Sequence, residues 1–263
     1  SSRGQVYWLK VYEVPQGSRV SKGKPIVNLF PIMPGEKINA ILAVKDFVED
    51  QYIFMATSKG TVKKTPLSDF SNPRKSGIIA IKLDNGDFLI GASVTNGKND
   101  IVLVSNGGKA VWFDETAVRS MGRNARGVRG MKLPEKQQVL SLLVAFSESE
   151  SVLVATENGY GKRTQLSEFR RSGRGTQGVK AIQVSDRNGI VVAARLVGDQ
   201  DEIMLITTGG VLIRTRVSEI RELGRATQGV TLINLGEEEK LSGLEKIVEA
   251  DSIDDDGQDE LQI

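Results

Sequence analysis

Lysine and arginine recur along this 263-residue chain in short clusters beside glycine, a combination suited to gripping a polyanion. One set of clusters reads as loops: Arg19, Lys22 and Lys24; Arg74 and Lys75; Arg119, Arg123, Arg126 and Arg129; Arg170, Arg171 and Arg174; Arg221 and Arg225. A second set lies on the short stretches ahead of those loops: Lys10, Lys63 and Lys64, Lys162 and Arg163, Arg214 and Arg216. The pairs Gly122-Arg123, Arg126-Gly127, Gly173-Arg174-Gly175 and Gly224-Arg225 allow close backbone approach to a phosphate and offer free N–H donors. Acidic residues are nearly absent from the loops, so the expected chemistry is binding of phosphates along duplex DNA through counterion release, with little regard to base sequence.

Other chemistry is poorly supplied. The chain has no histidine and no cysteine, which removes the commonest general base, the commonest zinc ligand, thiolate sites and disulfides together. Gly159-Tyr160-Gly161-Lys162-Arg163-Thr164 looks partly like a phosphate loop, but Thr156 stands where the first glycine belongs and an arginine follows the lysine. A hairpin is the better reading. Asp254-Asp255-Asp256-Gly257 lacks calcium ligands at its first and last positions, Ser252 and Ile263. Trp8 and Trp112 follow turn glycines and read as core anchors rather than base-stacking platforms. No catalytic constellation and no cofactor site is legible, and no apolar run reaches the roughly 18 to 20 residues of a membrane span.

The formal net charge of +2 conceals an asymmetry: residues 236–263 carry a net −9 and the preceding body +11. A basic body with an acidic tail suggests a polyanion partner and a tail able to compete for it. Residues 249–263 are expected to form a disordered tail, and residues 1–248 a single repeat domain.

The basic clusters are positioned by a repeat. Turn glycines at Gly4, Gly60, Gly108, Gly159 and Gly210 are followed by second glycines at Gly23, Gly77, Gly127, Gly178 and Gly229, and successive turns are 56, 48, 51 and 51 residues apart. A period near 50 points to a radial array of small sheets. Four of the turns are preceded by apolar strands, Ile53 to Thr57, Ile101 to Ser105, Val152 to Thr156 and Ile203 to Thr207, and followed by returning strands, Thr61 to Thr65, Lys109 to Phe113, Tyr160 to Thr164 and Val211 to Thr215. Beyond the second glycines, Ile78 to Leu83, Val128 to Leu133, Val179 to Val184 and Val230 to Leu235 alternate as half-buried strands do. A further strand lies between units at Ile38 to Val44, Phe88 to Val94, Val139 to Phe146 and Ile190 to Val197, and another begins at Leu241. Four strands per unit predict an all-β, blade-like array in which equivalent cations form a continuous belt.

With these residues in place, the chain resembles the C-terminal domain of the A subunit of bacterial DNA gyrase. The resemblance rests on Lys24-Pro25-Ile26-Val27-Asn28-Leu29, Phe54-Met55-Ala56-Thr57, Gly60-Thr61-Val62-Lys63-Lys64-Thr65, Gly127-Val128-Arg129-Gly130, Asn158-Gly159-Tyr160-Gly161-Lys162-Arg163-Thr164 and Arg214-Thr215-Arg216-Val217-Ser218-Glu219-Ile220. It implies a β-pinwheel, a propeller-like array of up to six blades, about five of them recognisable here, with strands exchanged between neighbours. It also implies a non-catalytic module that wraps duplex DNA around a basic rim so that the holoenzyme, a cytoplasmic ATP-dependent type II topoisomerase, introduces negative supercoils. ATP and magnesium are then expected in other parts of that holoenzyme, and the partners are double-stranded DNA, the gyrase B subunit, plus the N-terminal catalytic part of the A subunit; the piece itself is expected to be monomeric. The family's signature box of glutamine, arginines, glycines and lysine does not occur. The chain opens downstream of its place, so this piece is expected to bind and bend DNA but wrap it poorly. Two alternatives stand beside this: the C-terminal domain of the topoisomerase IV A subunit, and a protein-interaction propeller of the WD-repeat kind, whose glycine-histidine and tryptophan-aspartate signatures are absent here.

Overall fold

The structure, a computed structural model, describes residues 1–18, 21–147 and 149–248. Arg19 and the acidic segment 249–263 lie outside the described residues. Each of the last four units is built on a hairpin whose incoming and returning strands match the sequence reading to within a residue or two: Tyr52–Thr57 with Thr61–Pro66, Asp100–Ser105 with Lys109–Asp114, Ser151–Thr156 with Tyr160–Gln165, and Glu202–Thr207 with Leu212–Arg216. A third antiparallel strand flanks each incoming strand: Leu89–Thr95, Val139–Ala145, Val191–Val197 and Leu241–Ile247. These third strands contact one another from unit to unit and form the inside of the array. Each returning strand ends in a short 3-10 turn, such as Leu67–Phe70 or Leu166–Glu168.

The fourth strand of a blade comes from the following unit. Val128–Arg129 pairs with Thr61 and Val62, Val179–Lys180 with Lys109 and Ala110, and Val230–Thr231 with Tyr160 and Gly161, all antiparallel. Ile78–Ile79 completes a smaller pair with Gln5–Val6 in the first unit. The implied strand exchange is therefore present, and the described residues of the last blade form a three-stranded sheet.

Two expectations fail. The six-residue strands after the second glycines are only two residues long. The chain bends there because the next two N–H groups turn onto one carbonyl, that of the preceding unit's turn glycine: Gly130 and Met131 donate to Gly60 O at 2.8 and 3.0 Å, and Leu232 and Ile233 to Gly159 O at 2.8 and 3.2 Å. The turn glycine must also stay bare. Gly60 has φ +81°, and a Cβ placed on it would lie 2.6 Å from the Met131 carbonyl oxygen. The strand expected at Ile38 to Val44 is likewise not formed. Its counterparts each pair with an incoming strand, and residues 38–44 have no strand partner among the described residues.

The cores lie between blades, not within them. Phe54, Ala56 and Val62 pack with Ile101, Leu103, Val111 and Phe113 of the next blade, while Ile53 and Met55 face the other way into a cluster with Leu67, Phe70 and Ile81. Both faces of each hairpin are thus covered, which explains why Ile101 to Val104 are fully buried in unbroken sequence instead of alternating. Trp112 sits in the next cluster among Val154, Leu166 and Ala181, a core residue as its position after a turn glycine implies.

Candidate nucleic-acid interface

Because the third strands are innermost and the exchanged strands outermost, the loops that lead into the exchanged strands fall on the outer edge. The loops of the last three units run across the returning strand of the preceding blade. Met121 N donates to Lys64 O at 2.8 Å, Ser172 N to Trp112 O at 2.8 Å and Leu223 N to Arg163 O at 2.9 Å. Adjacent loops are also stitched together: Lys82 N donates to Ala125 O at 3.3 Å, Lys132 N to Thr176 O at 2.8 Å, and Gln183 N to Thr227 O at 2.8 Å. The edge is therefore a continuous backbone ribbon, and its basic side chains have fixed spacing.

Most of the loop cations are where the sequence places them. Arg74, Lys75, Arg119, Arg126, Arg129, Arg170, Arg171, Arg174 and Arg221 are exposed on this edge, and Arg123 and Arg225 are half-buried. Lys22 and Lys24 are exposed in the first unit, and Arg214 and Arg216 on the returning strand of the last. Lys180, which sequence reasoning passed over, is exposed at the position equivalent to Arg129, second residue of its exchanged strand. Its distance of two residues from a second glycine was the available signal. Gly122 and Gly173 have nothing within 4 Å of an added Cβ and no left-handed φ. Neither packing nor a left-handed backbone asks for glycine there, and the space beside each is open.

Three of the assigned cations are not on the surface. Lys63 and Lys162 are fully buried and Lys64 nearly so. The loop of the following unit covers the returning strand, and one of its carbonyls, with a carbonyl or hydroxyl from the lysine's own unit, supplies the partners a buried ammonium needs. Lys63 Nζ donates to Ala80 O at 2.7 Å and to Arg123 O; Lys162 Nζ donates to Gly224 O at 2.6 Å and Thr164 Oγ1 at 2.9 Å. Burial, reinforced by the like charge of Arg123 and opposed by Asp69, lowers Lys63 to about 8. Burial, with Arg225 and against Glu168, does the same to Lys162, also to about 8. Lys64 donates to Glu115 O at 3.3 Å and lies 5.1 Å from the centre of the Tyr52 ring. These three lysines leave the surface track, and burial of Lys162 removes the last likeness of its loop to a nucleotide site.

The acids missing from the loops in sequence arrive from elsewhere in space. Asp84 pairs with Arg126, Asp199 with Arg163, and Glu202 with Arg214 and, at 3.8 Å, Arg216. Arg171 is held by Asp100 and Asp114, 3.0 Å away from the second. Two hydrogen bonds from Thr116, and then the charge of Arg171, keep the Asp114 carboxyl below its ordinary range. Among the described residues no carboxylate lies within ion-pair distance of Arg74, Lys75, Arg119, Arg123, Arg129, Arg170, Arg174, Arg221 or Arg225. Together with the exposed Lys22, Lys24 and Lys180, which likewise have no carboxylate within ion-pair distance among the described residues, these nine are the cations left without an acidic partner.

Comparison with known proteins gives the same five-fold division. A family model described as the DNA gyrase C-terminal domain, beta-propeller, matches residues 1–45, 51–96, 99–145, 150–197 and 201–247. The A subunit of DNA gyrase from Salmonella typhimurium is 51% identical over 261 residues, covering 99% of this chain and 29% of that protein. Its counterpart from Escherichia coli K12 is 50% identical over 249 residues, 95% and 28% of the two chains. The chain thus spans less than a third of the length of these curated relatives. Among solved structures, the C-terminal domain of DNA topoisomerase IV superposes with a TM-score of 0.87 at 30% identity, covering 94% of this chain and 77% of that one. The DNA gyrase A C-terminal domain gives 0.81 at 29% identity, covering 94% and 80%. Shape alone does not separate gyrase from topoisomerase IV, but the sequence relatives favour gyrase, and the chain belongs to the DNA gyrase C-terminal domain family of beta-propellers.

Proposed function

We propose that this chain is a non-catalytic module that binds duplex DNA along its outer edge, bends it, and wraps it with a fixed hand, so that a gyrase holoenzyme can introduce negative supercoils. The observation that carries this reading is the recurrence, at 51-residue intervals, of a Gly-Arg pair on the outer edge, at Gly122-Arg123, Gly173-Arg174 and Gly224-Arg225, none of whose arginines has a carboxylate partner among the described residues. Bending a 20 to 30 base-pair site by 40 to 90° costs about 1 to 6 kcal/mol, so many phosphate contacts spread along a convex edge are what wrapping requires. The partners are double-stranded DNA, the gyrase B subunit, plus the N-terminal catalytic part of the A subunit. This chain uses no cofactor, ATP and magnesium belonging to the other parts, and the assembly works in the cytoplasm.

The test is equilibrium binding of linear duplex DNA across a salt series, followed by relaxation of a circular plasmid in the presence of the chain. Six to ten phosphate contacts predict a loss of about 10³ to 10⁵ in affinity between 50 and 200 mM salt, with little sequence preference. A nearly flat salt dependence removes the electrostatic track. Because the signature box is absent, the change in linking number is expected to be small; plasmid relaxed to the same linking number with and without the chain removes wrapping by this chain alone and leaves binding and bending standing.

A further inference from the structure

The two fully buried lysines occupy the same place in their units, third after the turn glycine, and each sits under the loop of the following unit. Lys63 draws down the Arg123 carbonyl, and Lys162 the Gly224 carbonyl; Thr164, bonded to Lys162, donates in turn to Leu223 O at 2.7 Å. A trans peptide points its C=O and the following N–H to opposite sides. Pulling these carbonyls inward therefore turns the N–H groups of Asn124 and Arg225 away from the ammonium. Among the described residues, neither N–H has a hydrogen-bond acceptor, and the side chains of Arg123 and Arg225 make no hydrogen bond either. A free N–H and a free guanidinium beside glycine, backed by a fixed positive charge, suit a phosphate oxygen.

We propose that Lys63 and Lys162 are positioning residues for two phosphate subsites, Arg123-Asn124 and Gly224-Arg225, and that filling those subsites with DNA is coupled to protonation of the two lysines. The proposal rests on the outer edge being the DNA track. Its physical basis is reciprocal linkage: the charges facing Lys63 are Asp69, from the 3-10 turn that ends its own strand, and Arg123, from the loop above; those facing Lys162 are Glu168 and Arg225. In each case the carboxylate favours the ammonium and the guanidinium disfavours it. A phosphate on Arg123 or Arg225 cancels the unfavourable charge, so the lysine binds its proton more tightly, and by the same amount the protonated lysine favours the phosphate. Neither lysine touches DNA. The equivalent residue in the third unit is Val111, so the loop at 170–178 supplies an internal control.

The experiment is DNA binding by the 263-residue chain at pH 7 and pH 9, a window in which arginines and ordinary lysines stay charged. It is paired with calorimetry at pH 8 in two buffers of different ionisation enthalpy, which counts protons taken up, and with a salt series. The expected result is a several-fold loss of affinity between pH 7 and pH 9 and net proton uptake on binding. Lys63→Met with Lys162→Met should bind more weakly at pH 7, lose the pH dependence and the uptake, and keep its salt slope; a lysine in direct contact with phosphate would take about 0.9 off that slope for each contact removed. Binding without proton uptake, pH dependence surviving in the double variant, or a reduced slope overturns the coupling while leaving the DNA track standing. Absence of salt-dependent binding at any pH overturns both. Should the double variant not fold, proton uptake by the unaltered chain decides alone.

Discussion

In the loops that lead to Gly127 and Gly229, a buried ammonium holds the backbone from below, and the guanidinium groups of Arg123 and Arg225 are left without hydrogen bonds among the described residues. The loop that leads to Gly178 crosses a strand with Val111 at the equivalent place, and there Arg174 does the holding itself, donating from Nε to Ala117 O at 2.9 Å and from Nη1 to Arg129 O at 3.1 Å. The backbone path is similar, with a Gly-Arg pair at the same step in all three. What differs is which cation is committed to the fold. A guanidinium has five N–H donors in a fixed fork, and those given to carbonyls are not available to a ligand. The lysine-backed loops therefore hold a charge in the core so that their surface arginine is free, whereas the third loop asks one arginine to serve both ends.

The largest break in this comparison is expected from Lys162→Ala. It strips the buried Thr164 hydroxyl of a donor and the Gly224 carbonyl of one of its donors, leaves a void, and should cost about 2 to 3 kcal/mol, read as a fall in the unfolding midpoint. Next comes pH. The folded value of about 8 for Lys63 and Lys162 lies below the 10.5 of an unperturbed lysine, so between these limits the unfolded chain binds more protons than the folded one and stability climbs as pH rises. Roughly 1 kcal/mol or more per lysine is expected in denaturant melts between pH 8 and pH 10, against a flatter profile for Lys63→Met with Lys162→Met. Stability and DNA affinity should thus move in opposite directions between pH 8 and pH 9, where the two windows overlap. If they rise together, the buried charge is not what backs the loops.

A finer test sets Arg174→Ala against Arg123→Ala. Losing Arg174 removes a cation and two bonds that hold its loop, so DNA affinity should fall about tenfold and amide exchange across 170–178 should quicken. Arg123→Ala should lower affinity less and leave exchange across 119–127 unchanged, because Lys63 still holds that loop. The smallest effect separates neighbours: Arg171→Glu, set against Asp100 and Asp114, should destabilise by about 1 kcal/mol, while Arg170→Glu should weaken binding at unchanged stability. Equal melts for the two would mean that the Arg171 ion pairs contribute nothing.

Much of this architecture is legible in the residues. Glycines that accept positive φ mark the turns, and apolar runs ending at them mark the hairpins, because turn geometry and strand burial are local demands. The two-residue length of the exchanged strands was not legible: Val128 to Leu133 alternates like a strand, yet Gly130 and Met131 leave the ladder for a carbonyl supplied by a residue 70 positions earlier, Gly60. The burial of Lys63, Lys64 and Lys162 was hidden for the same reason, since the loop that covers each strand belongs to another unit. Lysine read alone is a surface residue. Arg126 and Arg163 also look unopposed until the fold brings Asp84 and Asp199 beside them.

The borrowed fourth strand sets a rule for changing the size of such a molecule. Excising the 51 residues from Gly108 to the residue before Gly159 would fuse the incoming strand of one hairpin to the returning strand of the next, and Val179–Lys180 would inherit the place on Thr61 and Val62 left by Val128–Arg129. No sheet edge is orphaned by such a cut, because every blade presents the same acceptor to whichever unit follows. Duplication by the same register is equally seamless. The perimeter can then grow or shrink only in whole steps, one blade and one basic loop at a time, so any length of DNA it carries comes in discrete increments.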